Sequence, residues 1–328
     1  MSEAVTIDTI KNILTKNVNK EYSLSREEAI AIMNLPEDDM PLLMEMAGSL
    51  RKKYKGNHVS IHLLTNARSG NCSQNCAYCA QSCRSKAEIE KYKWVNDEKL
   101  YSDNAFVHDN HLSRHCIGLS GMKFTDEEIE ELAEKIRVMK AQGTHLCCSI
   151  GFLTEKQALM LKEAGLDRIN HNLNSSRSYY HNICTTHTYE DKIAAIRAAW
   201  KAGLEVCSGG IMGLGETVED RIDLALEVRK LGVKSMPVNL LNPIPGTPYE
   251  HNPVLTTEEM RRIVAVFRFL LPDAWIRLAG GRGLLPDKGR SCFTSGANAA
   301  ISGDMLTTAG ITIERDMQML GELGYIVE

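Results

Sequence analysis

Three thiols stand on one short stretch of this chain, Cys72-Ser-Gln-Asn-Cys76-Ala-Tyr-Cys79, directly after the apolar run VSIHLLTNA. Gaps of three and then two residues let one tight loop wrap its thiolates around an iron–sulfur cubane, whose iron takes thiolate as its natural ligand. A three-cysteine set leaves one iron open to a further ligand. A zinc knuckle is the competing reading. Structural zinc sites usually pair two Cys-x-x-Cys units, and no matching second unit exists here.

Further cysteines fall on expected strands: Cys116 in RHCIGLS, Cys147 or Cys148 in THLCCSIG, and Cys207 in LEVCSGG. Singly, a strand cysteine is usually a small buried hydrophobe. Three on separate strands of one barrel could instead meet in its interior. Cys147 and Cys148 point to opposite faces of their strand, so only one can enter. Arg277, in WIRLAGG, is costly to bury unpaired, and an anionic cluster opposite it removes that cost.

These residues need a scaffold, and a repeated pattern supplies one. Helices end at Gly143, Gly165, Gly203 and Gly232, and an apolar strand follows each at once. Glycine suits the left-handed position just past a helix end. Thr125 with Glu128, Thr154 with Gln157, and Thr256 with Glu259 read as capping boxes. Ile129, Leu132, Ile136 and Met139 form one apolar stripe. Strands are expected near 58–65, 114–119, 144–150, 167–172, 204–209, 234–240, 274–279 and 297–302. Eight alternating units predict an α/β fold, a (β/α)8 TIM-type barrel, with an open doubly wound sheet as the alternative. Polar residues at strand positions (Asn170, Asn172, Cys207, Asn239, Arg277) favour a barrel with an occupied interior over a sheet buried on both faces. Ser25 with Glu28 starts a helix, and 40–54 reads as another. Residues 1–55 thus form an N-terminal helical cap on a 56–328 barrel, in a single domain over 1–328. The charged stretch 84–113 carries a poor helix pattern.

The 328 residues, 43% hydrophobic with net charge −4, suit a globular protein. No basic block points to nucleic acid and no apolar run is long enough for a membrane span. The N-terminal MSEAVTIDTIKNILTKN lacks a signal-peptide core, so a cytoplasmic location is expected. Ten cysteines in a reducing compartment point to metal or catalysis. The glycine run GGIMGLGE at 209–216 resembles a phosphate loop only weakly. It is read as a close backbone approach to an adenosine at a strand's C-terminal end.

The ordered set NCSQNCAYCAQS, GLDRINHNLNSS, TTHTYEDKI, EVCSGGIMGLGET, VNLLNPIPGTP, IRLAGGR and CFTSGANAAISGDMLTT closely resembles the biotin synthase family of radical S-adenosylmethionine (SAM) enzymes, from about residue 58 to 310. The part from about 228 resembles the biotin and thiamin synthesis-associated region. The resemblance implies a 4Fe-4S cluster on Cys72, Cys76 and Cys79 with SAM on the open iron. It implies an auxiliary Fe-S cluster (2Fe-2S, or a larger four-iron cluster) on Cys116, Cys147, Cys207 and Arg277, which supplies sulfur to C9 and C6 of dethiobiotin. Tyr78 matches the aromatic residue beside the adenine. Asn172, Asn174 and His187 match positions lining SAM. Asn172 and Asn239 match asparagines at the ureido ring, with Asn170 a neighbour, and Thr307 and Thr308 match the pair holding the substrate carboxylate. An amide can donate to and accept from a ureido group at once. A homodimer and an electron donor such as flavodoxin or ferredoxin are implied as well.

Departures are Asn174 at a position often aspartate, His187 at an arginine position, and three extra thiols, Cys83, Cys148 and Cys184. The extra thiols are core filler or supports for a larger auxiliary cluster. A related barrel of the methylornithine-synthase or hydrogenase-maturase type is the enzymatic rival. A non-catalytic Fe-S scaffold is the other.

Overall fold

A computed structural model describes residues 7–18 and 23–328. The expected cap over 1–55 is helical where described: α1 (Ile7–Val18), α2 (Arg26–Met33) and α3 (Met40–Lys55). Residues 1–6 and 19–22 of that stretch lie outside the described residues. The chain then alternates through β1 (His58–Arg68), α4 (Asp97–Asp109), β2 (Arg114–Leu119), α5 (Asp126–Lys140), β3 (Leu146–Ser149), α6 (Glu155–Glu163) and β4 (Arg168–Asn170). After α7 (Tyr180–Ile183) and α8 (Tyr189–Lys201) come β5 (Glu205–Cys207), β6 (Gly210–Met212), α9 (Val218–Lys230) and β7 (Ser235–Leu240). The last third holds α10 (Thr257–Leu270), β8 (Trp275–Leu278), α11 (Arg290–Thr294), β9 (Ala299–Ser302), α12 (Ile313–Glu322) and β10 (Ile326–Val327).

Every strand pairing is parallel, in the order β5-β4-β3-β2-β1-β9-β8-β7-β6, with β10 added beside the start of β1. This is an α/β fold whose sheet is curled and open between β5 and β6, where the sequence leads one to expect a closed eight-strand ring. The two end strands are consecutive in the chain, separated only by Ser208 and Gly209. The reason is local. A Cβ on Gly209 would lie 2.0 Å from the Pro237 carbonyl oxygen, and one on Gly210 would lie 2.6 Å from that of Asn174. Backbone is crowded here, and the strand breaks rather than running through.

The helix signals behave as their chemistry requires. Ser25, Thr125, Thr154 and Thr256 all close capping boxes. Thr188 and Thr217 do the same with Asp191 and Asp220, a shorter partner than the usual Glu or Gln. Gly143, Gly165, Gly203 and Gly232 all sit at positive φ. The stripe Ile129, Leu132, Ile136 and Met139 is buried in the hydrophobic core. The weakly patterned 84–113 stretch is loop as far as Asn96, whose side chain caps α4.

Candidate functional site

The three-cysteine loop is wound on itself and strapped down. The Cys72 N–H donates to the Gln81 carbonyl at 3.2 Å, Cys79 N–H to Cys76 O at 3.1 Å, and Cys83 N–H to Gln74 O at 2.9 Å. Ala77 N–H donates to Ile183 O at the end of α7, at 2.9 Å. Cys72, Cys76 and Cys79 are half-buried, while Cys83 is exposed. Burial pushes the Cys79 thiol up to about 11. The adjacent Cys184, and then burial, push the Cys76 thiol up as well. Binding of a metal would have to displace the protons of these two thiols, since the ligand is the thiolate.

Below the loop, the strand cysteines converge. Cys116 and Cys147 face each other across the β2–β3 ladder, and Cys207 follows on β5 beside Asn170 of β4. Cys116 Sγ lies 3.3 Å from His62 Nδ1, and Cys207 Sγ lies 3.1 Å from Ser235 Oγ. The neighbouring Cys147 draws the Cys116 thiol down, with Arg277 and Arg114 adding to the effect. Cys148 points the other way, into the hydrophobic core, as strand alternation requires.

Arg277 is 1% exposed, and its Nε has no hydrogen-bond partner. One guanidinium nitrogen reaches the Ser60 and Ala300 carbonyls at 3.4 and 3.3 Å. Burial pulls it down to about 10, opposed chiefly by Cys207. Among the described residues it forms no carboxylate ion pair. Beneath lie Arg114 and Arg168, both bonded to Glu205 Oε2, at 3.4 and 2.9 Å. A buried guanidinium with an unsatisfied donor, set among thiols, is a place where an anionic group would fit.

One cavity of about 300 Å³ connects the two groups. Its lining includes Cys79 and Tyr78 from the loop, Cys116 and Cys147 from the strands, and Asn170, Asn172, Asn174, Asn239, Thr307 and Thr308. Most of the expected contact residues are therefore brought together. Asn172 Oδ1 accepts from Gly209 N–H at 3.1 Å. Asn239 bridges Gly210 O and Gly280 N–H, each at 2.9 Å. A primary amide keeps one donor and one acceptor position free after two such bonds. Asn170 Oδ1 is buried with no partner at all. Asn174 adopts φ 72° and takes backbone bonds to both Gly209 and Ile211. The close approach made by Gly209 and Gly210 is to the backbone of Pro237 on β7 and of Asn174, four residues past the end of β4.

Cys72, Cys76, Cys207, Arg277 and His187 are not among the residues lining that cavity. Both ring nitrogens of His187 are engaged, Nδ1 with Gln74 Oε1 at 2.5 Å and Nε2 with Tyr180 OH at 2.7 Å. His187 thus clamps the cysteine loop. Sequence reasoning missed His62, Arg168 and the Gln74–His187 pair. Only the polar character of expected interior positions hinted at His62 and Arg168, and nothing local hinted at the pair.

The curled parallel sheet with a three-cysteine loop after its first strand defines a radical SAM enzyme. Residues 66–228 match the Radical SAM superfamily, and residues 237–326 match the Biotin and Thiamin Synthesis associated domain. The biotin synthase of Brachyspira hyodysenteriae is 48% identical over 316 residues, covering 96% of this chain and 94% of that protein. The biotin synthase of Akkermansia muciniphila is 48% identical over 306 residues, covering 93% and 94%. The chain belongs to the biotin synthase family. Methylornithine synthase superposes with TM-score 0.82 at 18% identity, covering 96% of this chain and 97% of that one. An FeFe-hydrogenase maturase from Carboxydothermus hydrogenoformans gives TM-score 0.83 at 17% identity, covering 98% and 79%. Those two share the fold.

Proposed function

We propose that this chain forms biotin from dethiobiotin, with Cys72, Cys76 and Cys79 holding a 4Fe-4S cluster open to SAM. On this reading Cys116, Cys147, Cys207 and Arg277 hold the auxiliary Fe-S cluster that supplies sulfur to C9 and C6. The carrying observation is the shared cavity, which has Cys79 of the loop on one side and Cys116 and Cys147 on the other. When bound, the open-iron cluster supplies an electron to the SAM sulfonium, releasing a 5′-deoxyadenosyl radical that abstracts hydrogen from substrate. The protein's part is to place, orient and exclude water.

Tyr78 faces the cavity where an adenine can stack. Asn172 and Asn174 offer amides to SAM. Asn170, Asn172 and Asn239 take the ureido ring, and the free acceptor of Asn170 suits a ureido N–H. Thr307 and Thr308 hold the carboxylate with hydroxyls, adding no reactive base beside a radical. His187 acts on SAM through Gln74 and the loop. Arg277 balances the charge of the auxiliary cluster.

The parallel bridge between Asn174 and Gly210, and the 3.0 Å bond from Ser208 N–H to Ser235 O, support a sheet that closes functionally into a barrel around this cavity. We read the chain as one domain over 1–328, working as a cytoplasmic homodimer served by a flavodoxin or ferredoxin. No helix among the described residues is long and apolar enough to cross a membrane. The rival radical SAM chemistries share the fold at 17–18% identity, against 48% for biotin synthases. Dethiobiotin turnover to biotin by the anaerobically reconstituted enzyme tests the reading. Cleavage of SAM without any biotin would reject it in favour of another radical SAM reaction.

A further inference from the structure

Cys184 has no place in the reaction as described, yet it is buried against the cysteine loop. Its sulfur, that of Cys76 and a ring nitrogen of His187 lie within 4.8 Å of one another. Residues 183–187 are strapped to residues 74–77. Ile183 O accepts from Ala77 N–H at 2.9 Å, Asn75 Oδ1 accepts from Thr185 N–H at 2.9 Å, and Thr186 Oγ1 donates to Gln74 Oε1 at 2.8 Å. The strap fixes Cys184 beside Cys76.

The other neighbours of Cys184 Sγ are Asn75 Oδ1 at 3.2 Å, Thr186 Oγ1 at 3.2 Å and His187 Nδ1 at 3.3 Å. Asn75 Oδ1 accepts from both Thr185 N–H and the Cys184 thiol, and it and Thr186 Oγ1 are neutral acceptors. His187 Nδ1 faces the Gln74 carbonyl oxygen at 2.5 Å, so it carries its own proton and cannot accept one. Once Cys76 is a thiolate ligand it becomes the one charged acceptor in reach, and charge-assisted hydrogen bonds outweigh neutral ones.

We infer that Cys184 is a positioning residue for the loop cluster, donating an S–H hydrogen bond to the Cys76 thiolate and so raising the cluster's reduction potential. Hydrogen bonds to cluster sulfur favour the reduced form, which carries one more negative charge. The inference rests on the three-cysteine assignment above.

The test is an EPR-monitored redox titration of the reconstituted full chain, alongside C184A and C184S, with iron and sulfide counts on each. A more negative midpoint in C184A at unchanged iron content, with C184S between it and the parent, supports the inference. Equal midpoints overturn it, as does C184S matching C184A. Loss of the loop cluster in C184A also overturns it, by making Cys184 a ligand or packing element. The parent enzyme alone gives a second reading: exchanged into D2O and reduced, its cluster must show a strongly coupled deuteron by pulsed ENDOR, and none overturns the proposal. A parent chain that binds no reducible four-iron cluster fails the three-cysteine assignment instead.

Discussion

Two cysteines on different elements separate the two halves of the chemistry. Cys76 lies in the loop and Cys207 on β5. Cys76→Ala is expected to abolish SAM cleavage, measured as 5′-deoxyadenosine formed with a strong reductant. Cys207→Ala is expected to retain part of that cleavage while biotin formation stops. Full biotin yield from the Cys207 variant would remove the auxiliary role. Asn170 offers a cleaner probe of substrate contact, because its buried Oδ1 has no other partner. Losing one buried hydrogen bond costs about 1.4 kcal/mol, so Asn170→Ala should weaken dethiobiotin binding roughly tenfold. Calorimetric titration of the SAM-loaded enzyme checks this; unchanged affinity would place the ureido ring elsewhere. The role of this residue was faint in the sequence, since an unpaired oxygen is a fact of packing rather than of residue type.

At the scale of elements, the β5–β6 break is the feature most sensitive to a single methyl group. Gly209→Ala puts a Cβ against the Pro237 carbonyl, and overpacking of this kind costs about 1–3 kcal/mol. A lowered thermal midpoint together with weaker SAM binding is expected, because Asn172 and Asn174 both bond to Gly209. Asp167 ties α5 to β3 through Lys140 Nζ at 2.8 Å and Leu146 N–H at 2.8 Å. Burial works against its charge, but the Lys140 and Leu146 bonds outweigh it and hold the carboxyl below its ordinary value. A carboxyl depressed on folding adds stability that is present above its unfolded pKa near 4 and is lost as pH falls through the lower folded value. Melting curves of the metal-free chain from pH 6 to 3 should fall less steeply for Asp167→Asn. Capping threonines and helix-end glycines made these elements readable in advance, since both act through local backbone chemistry. The sheet's opening was not readable, because it depends on Gly209 meeting Pro237, a residue 28 positions further on in the sequence.

For the whole molecule, the curled sheet brings two sets of thiols together, with a cavity lined by Cys79 of one and by Cys116 and Cys147 of the other. The order of motifs along the chain made that assembly legible. Spacing alone marked the loop cysteines, whereas Cys116, Cys147 and Cys207 were marked by their places on separate expected strands and by resemblance, and they stand on β2, β3 and β5 of the sheet. His187 was placed near SAM on the same grounds, and its clamp on Gln74 emerged only from side-chain packing. With the interior thiols holding the proposed second cluster, the reconstituted enzyme should carry six to eight irons per chain, and a count near four would leave the interior group without a cluster. The most direct test of the central claim is Mössbauer spectroscopy of the 57Fe-reconstituted enzyme, recorded without air before and after SAM is added. The account predicts that one iron of the loop cluster changes its isomer shift and quadrupole splitting as it gains ligands from SAM. Identical spectra in the two samples would contradict it.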